Sequence, residues 1–255
     1  MIKIDYNSYR SVKGFNRRVR FLIMHYTALN FNGSVNALTG ASVSAHYLVP
    51  DFTDKTYIDA GFTDERIFNL VDEHERAWHA GVSTWAGRTN INDSSIGIEI
   101  VNEAKSSSEG FIFPPYPDSQ IEAIISLAYN ILQRYPDITP TQVVGHSDIA
   151  PGRKSDPGAS FPWQRLYEAG VGAWYDESTK QMYRERFAAG LPDKNEIISK
   201  FKTYGYNTQE AASAHGYRVL VRAFQLHFRQ QDYAGVMDAE TAAILYALVD
   251  KYFAG

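Results

Sequence analysis

The sequence predicts an α/β fold: a mixed central β-sheet flanked by helices, followed by a small C-terminal three-helix domain. Three observations carry this expectation. Short apolar runs bounded by turn residues recur between positions 19 and 146. One long amphipathic helix interrupts them after Pro117. Beyond about Trp174 the strand-like runs stop and three helical patterns take over. The expected organisation is a main domain over 1–176, a linker over 177–194 and a helical domain over 195–255.

Val19 to Tyr26 (VRFLIMHY) is apolar and β-branched and reads as a strand buried on both faces. Period two sets Phe21, Ile23 and His25 on one side, so His25 ends the strand facing a defined way. His46 to Val49 is a second short strand closed by Pro50, and Arg66 to Val71 a third. In Ser95 to Val101 (SIGIEIV) the isoleucines Ile96, Ile98 and Ile100 need a core. Glu99 then projects from the opposite face, and Gly97 beside it leaves space above the backbone. The long helix starts near Asp118 or Ser119, either of which can cap it. Its stripe is Ile121, Ile124, Ile125, Ala128, Ile131 and Leu132, and Pro136 ends it. Gln142 to His146 is another strand, which delivers His146 to a loop stiffened by Pro151 and Pro157. Tyr175 to Lys194 is polar and reads as a linker with a partial helix. Helical patterns follow at Glu196 to Tyr204, Tyr217 to Phe228 and Thr241 to Tyr252, enough for a small bundle with a marginal core.

A net charge of -4 over 255 residues and a pI near 6.0 argue against nucleic acid as the main partner. Cysteine is absent, so disulfides and thiol catalysis are excluded and a zinc site must use His, Asp or Glu. No apolar stretch approaches the ~20 residues that span a bilayer. The N-terminus lacks the apolar region of a secretory signal. No Gly-x-Ser-x-Gly elbow occurs, and Gly152-Arg153-Lys154-Ser155 lacks the glycines of a phosphate-binding loop.

The chemistry concentrates in His25 and in the segment Gly145 to Gly158, which holds His146, Asp148, Lys154 and Asp156. Imidazole and carboxylate suit zinc, and a nearby lysine can stabilise an oxyanion. Spacing alone leaves the matter open, because His146 and Asp156 lie ten residues apart, unlike any short zinc knuckle. Such residues can equally pair or cap a loop. His46 competes with His25 as a ligand on spacing, and Asp148 reads as an outer partner of a ligand or as a loop cap. His74, His215 and His227 are assigned no chemistry. Phe111, Phe113 and Tyr116 are candidates for exposed contact with a sugar.

Four motifs in register then point to a family. They are Ile23-Met24-His25-Tyr26-Thr27, Ala77-Trp78-His79-Ala80-Gly81, Asn92 to Glu99, and the Gly145 to Gly158 loop. Together they resemble the zinc-dependent N-acetylmuramyl-L-alanine amidases of the AmpD/AmiD branch, in the superfamily of the peptidoglycan recognition proteins. The resemblance runs from about Tyr6 to Trp174. It implies the peptidoglycan recognition/amidase fold and the cofactor Zn2+, held by His25, His146 and Asp156. It further implies Glu99 as catalytic acid/base, Lys154 as catalytic lysine, and Trp78 and His79 beside the substrate, with His25 rather than His46 as the ligand. Peptidoglycan or its fragments are the implied partner and the muramyl–alanyl amide the implied bond. A periplasmic location, with a leader removed or a non-standard export route, is expected, with the cytoplasm as alternative. The rival readings are a recognition protein that binds peptidoglycan without cutting it, and the same amidase exported as an antibacterial toxin.

Phe224-Gln225 and the later Gly235-Val236-Met237-Asp238-Ala239-Glu240-Thr241 resemble the helical peptidoglycan-binding module. Asp238 and Thr241 can also simply cap the last helix, so the motif speaks for the fold before it speaks for sugar.

Overall fold

The computed structural model of the chain describes residues 2–14, 17–107 and 110–254. In chain order the strands are β1 (Phe21–Tyr26), β2 (Tyr47–Val49), β3 (Phe68–Asn69), β4 (Thr84–Trp85), β5 (Arg88–Thr89), β6 (Ser95–Ile100), β7 (Lys105–Ser107), β8 (Gly110–Ile112) and β9 (Val143–Gly145). The helices are α1 (Phe31–Leu38), α2 (Lys55–Asp59), α3 (Asp118–Arg134), α4 (His146–Ile149), α5 (Trp163–Glu168), α6 (Glu177–Phe187), α7 (Lys194–Tyr204), α8 (Ala214–Phe228) and α9 (Ala239–Phe253).

Five strands form the central sheet in the order β3-β2-β6-β1-β9. β2, β6, β1 and β9 run parallel, and β3 is an antiparallel edge, so the sheet is mixed as expected. The alternation in β6 sets its register. Ile96, Ile98 and Ile100 are fully buried, each contributing about 1.5–3 kcal/mol. A slip of one residue would turn all three to the other face and drive Glu99 into the core.

α3 buries Ile121, Ile124, Ala128 and Ile131, the expected stripe. Its cap differs from expectation: Pro117 precedes the first turn, and among the described residues no side chain caps it. Asp118 lies inside that turn, where its charge suits the helix dipole and pairs with Arg165. His146 also differs, since β9 stops at Gly145 and His146 opens the short helix α4.

The predicted linker over 177–194 is largely the helix α6. Its polar sequence hides a buried stripe of Lys180 and Phe187, with Tyr183 stacked on Phe187 and tilted against Tyr246 of α9. The C-terminal helices also have no separate marginal core. Phe201, Phe224, Phe228, Leu245 and Leu248 belong to the same buried cluster as Ile98 and Ile124. Asp238 caps α9 by accepting from the Thr241 N–H at 2.9 Å, as its spacing suggested.

Candidate metal centre and active site

Parallel register brings the chemistry together. His25 on β1 lies directly opposite Glu99 on β6, and Met24 pairs with Gly145 on β9. His146, next after Gly145, therefore emerges beside His25 at the same carboxyl edge of the sheet, where ligands bind in open α/β sheets. Asp156 returns from the loop, and the Ser147 N–H holds its carbonyl at 2.9 Å.

His25 Nδ1 and His146 Nδ1 are 3.0 Å apart, and each is 2.9 Å from Asp156 Oδ2. All three side chains are buried. The partners of the outer ring nitrogens decide where the protons are. His146 Nε2 lies 3.0 Å from the Ala80 carbonyl oxygen, which can only accept. Arg153 Nη2 also approaches at 3.3 Å, but its two protons go to the Ala80 and Val82 carbonyls at 2.8 and 2.6 Å. His146 thus carries its proton on Nε2 and a lone pair on Nδ1.

His25 Nε2 lies 2.9 Å from His79 Nδ1, and His79 Nε2 lies 3.1 Å from Ser95 Oγ. Ser95 gives its single proton to the Ile91 carbonyl at 2.7 Å. Its oxygen therefore accepts from His79 Nε2–H, His79 Nδ1 accepts from His25 Nε2–H, and His25 Nδ1 is left with a lone pair.

Three acceptors then converge with no proton between them. Tetrahedral zinc ligands at the usual 2.0–2.1 Å would be about 3.3 Å apart, within a few tenths of an ångström of the observed triangle. The donor set fits a zinc ion. Burial pushes His25 down to about 4, with His146 adding to the shift, so the ring is neutral as a ligand must be. Burial also pushes Asp156 up, but its contacts with His146 and His25 outweigh this and hold it ionised.

Glu99 Oε1 lies 4.0 Å from His25 Nδ1, and its Oε2 is buried with no hydrogen-bond partner among the described residues. Burial raises Glu99 well above the ordinary carboxylate range, Asp156 raises it further, and Lys154 opposes. Lys154 is exposed on the loop two residues before Asp156. Its positive charge is felt by both His25 and Glu99. Beside Lys154 runs a groove of about 200 Å³, bordered by Phe111, Arg153, His215 and Arg222.

The three expected ligands and Glu99 therefore lie together, and Lys154 shares the loop of Asp156. The two expected substrate contacts part company. Trp78 is 55% exposed on its loop and available to a ligand. His79 is buried behind His25 with both ring nitrogens engaged, which leaves none for a substrate. Tyr116, expected to be exposed, is buried, and its hydroxyl donates to the Pro157 carbonyl at 2.8 Å. His46 is also internal. It accepts from the Gly97 N–H at 3.0 Å and donates to the Glu75 carbonyl at 3.2 Å.

Sequence reasoning missed one polar junction. Asp148, fully buried, accepts from the Gly145 N–H at 2.7 Å, from the Tyr206 hydroxyl at 2.6 Å and from His227 Nδ1 at 2.7 Å. His227 is stacked between Trp163 and Phe228 at 3.8 Å from each. Residues so far apart in the chain carry no local signal of such a meeting. It ties the helix that begins with His146 to the C-terminal helices.

Comparison with known proteins gives this arrangement its family. The N-acetylmuramoyl-L-alanine amidase family (Amidase_2) matches residues 15–159. The chain is similar to the N-acetylmuramoyl-L-alanine amidase AmiD of Escherichia coli, with 44% identity over 237 residues, covering 92% of this chain and 84% of AmiD. It is also similar to the crystal structure of AmpDh3 from Pseudomonas aeruginosa, with a TM-score of 0.95, 58% identity and 99% of each chain covered. AmpDh3 in complex with an anhydromuramic pentapeptide gives a TM-score of 0.96, again at 58% identity and 99% of each chain. The chain belongs to the N-acetylmuramoyl-L-alanine amidase family.

Proposed function

We propose that the chain hydrolyses the amide between N-acetylmuramic acid and L-alanine in peptidoglycan or its fragments, with zinc held by His25, His146 and Asp156. The observation that carries this is the triangle of three proton-free acceptors within 3.0 Å of one another, with a buried carboxyl beside it. Zinc bound there would leave a fourth position open, acidify a water and polarise the carbonyl of the scissile amide.

The protein's own groups do the rest. Glu99 takes a proton from the attacking water, and its raised affinity for protons suits it to hold that proton near neutral pH. As the C–N bond breaks, Glu99 returns the proton to the departing alanine nitrogen. The products are a muramyl lactyl carboxylate and a peptide with a free amine. The Lys154 ammonium would offset the negative charge that develops on the carbonyl oxygen. Trp78 offers an exposed face for an apolar part of the substrate. Residues 1–176 form the catalytic unit in this reading, and 195–255 complete its support and contribute to wall binding.

A periplasmic location fits a substrate that is the wall itself. Among the described residues no helix is long and apolar enough to cross a membrane. The non-catalytic alternative fits less well, since the ligand triangle has Glu99 beside it and the chain retains Lys154. The deciding experiment is mass spectrometry of products from a defined muropeptide, with and without chelator, alongside elemental analysis. Free L-alanyl peptide and one zinc per chain are expected. Intact muropeptide with a zinc-loaded protein would refute the catalytic reading, and a protein that takes up no zinc would refute the metal assignment.

A further inference from the structure

We propose that His79 is a positioning residue: it selects the ring tautomer of His25, so that Nδ1 faces the metal with a lone pair. The proposal rests on the zinc reading above and adds a residue to it. A metal-bound imidazole ordinarily gives its other N–H to a carboxylate, a carbonyl or water. Here that acceptor is a second neutral imidazole, which could itself adopt either tautomer. An imidazole is a sound acceptor at Nδ1 only if something else claims its Nε2 proton.

The structure supplies that claim in a chain of fixed polarity. The Ile91 carbonyl can only accept, so Ser95 points its proton there at 2.7 Å. Ser95 Oγ is then an acceptor for His79 Nε2–H at 3.1 Å. His79 Nδ1 is an acceptor for His25 Nε2–H at 2.9 Å. One backbone carbonyl thus sets the direction of three hydrogen bonds that end at the metal ligand.

The surroundings hold the His79 ring in place. The backbone N–H groups of His79 and Ala80 both donate to Asn92 Oδ1, at 3.1 and 2.7 Å. The His79 ring lies across Gly97, where an added Cβ would fall 2.5 Å from it. His46 meets it edge-on with ring centroids 5.7 Å apart. The glycine in β6 is therefore explained by the ring it admits.

The test separates acceptor geometry from bulk. In His79→Asn the side-chain oxygen occupies the position of Nδ1, the same number of bonds from the backbone, and can accept from His25. His79→Leu fills the volume and accepts nothing. Zinc affinity of the purified full chain is measured by competition with a chromogenic chelator. His79→Leu and His79→Ala should bind zinc about 10–100-fold more weakly than the native protein. His79→Asn should stay within about 5-fold, on the same reasoning. Equal losses for Asn, Leu and Ala would overturn the proposal, as would no loss for Leu.

A second measurement does not depend on any variant folding. Long-range proton–nitrogen spectra of the zinc-loaded protein labelled with 15N-histidine report which ring nitrogen carries each proton. The proton is expected on Nε2 of both His25 and His79. A proton on Nδ1 of His79 would overturn the proposal even if zinc is bound. A native protein that takes up no zinc at all would instead sink the metal assignment, so the two failures are distinguishable.

Discussion

Replacing Asp148 by Ala tests whether the C-terminal helices are structurally coupled to the ligand-bearing loop. The carboxylate is fully buried and takes three hydrogen bonds, at 2.6–2.7 Å, from Gly145, Tyr206 and His227. Removing it leaves three buried donors without partners, each worth about 1–3 kcal/mol. Relaxation and water entry recover part of this, so a total of about 3–5 kcal/mol is expected, as for breaking a buried ion pair. For a chain of this size that corresponds to a fall in Tm of roughly 6–20 °C. Asp148→Asn keeps the shape and one acceptor and should lose about 1–3 kcal/mol. The assay is thermal and urea unfolding followed by circular dichroism and by tryptophan fluorescence. Because one buried cluster spans the sheet and the C-terminal helices, both probes should report a single transition. A loss under about 1 kcal/mol for Asp148→Ala, less than one unsatisfied buried group should cost, would refute the reasoning. So would two separate transitions in the native protein.

Glu99→Gln should keep zinc and the fold while kcat falls by about 10²–10⁴-fold, the usual share of a general base. Activity needs Glu99 ionised and its proton affinity is raised, so the acid limb of kcat/KM should lie above the ordinary carboxylate value of 4.5. As pH falls through that raised value activity is lost, and a limb at or below 4.5 would mean a different base. Asp156→Ala should release the metal, because two imidazoles alone leave the site one ligand short. Stoichiometric zinc by elemental analysis in that variant would remove Asp156 from the ligand set. Lys154→Ala should lower kcat by roughly 10²–10³-fold at little change in stability, since the side chain is exposed and acts on developing charge. An unchanged kcat would take the lysine out of the mechanism.

Much of the site was legible because strand periodicity and register do simple things. Alternation in Phe21–Tyr26 and in Ser95–Ile100 set His25 and Glu99 on corresponding faces, and parallel pairing made them neighbours. The loop after β9 carried its chemistry openly, with His146, Lys154 and Asp156 close in sequence. His79 was legible as a residue but not as a role. Its job depends on Ser95 and Gly97, and nothing local reveals that a ring will lie over a strand glycine. The helix within 177–194 was legible only in part for a related reason. A polar helix that buries only Lys180 and Phe187, with Tyr183 half-buried, resembles a loop until α9 is there to cover it.

Truncation after residue 194 decides whether the C-terminal helices are an appendage or part of the catalytic unit's core. Trp85 packs edge-on against Tyr206 at 4.7 Å, Trp163 stacks on His227 at 3.8 Å, and Trp174 meets Phe228 at 5.8 Å. Three of the chain's four tryptophans thus rest on residues that the truncation removes. A buried aromatic side chain covers about 150–250 Å², so the exposed patch would exceed what a soluble monomer ordinarily tolerates. Asp148 would lose two of its three partners in the same step, and with them part of what holds His146. A wall-binding appendage joined by a linker could be cut away with only its affinity for polymer lost. The packing predicts instead that residues 1–194 aggregate, or fold with loosened packing and weakened zinc binding. A truncated protein that stays monomeric, unfolds as sharply as the full chain and cleaves soluble muropeptide at the native rate would show that the tryptophan contacts are dispensable.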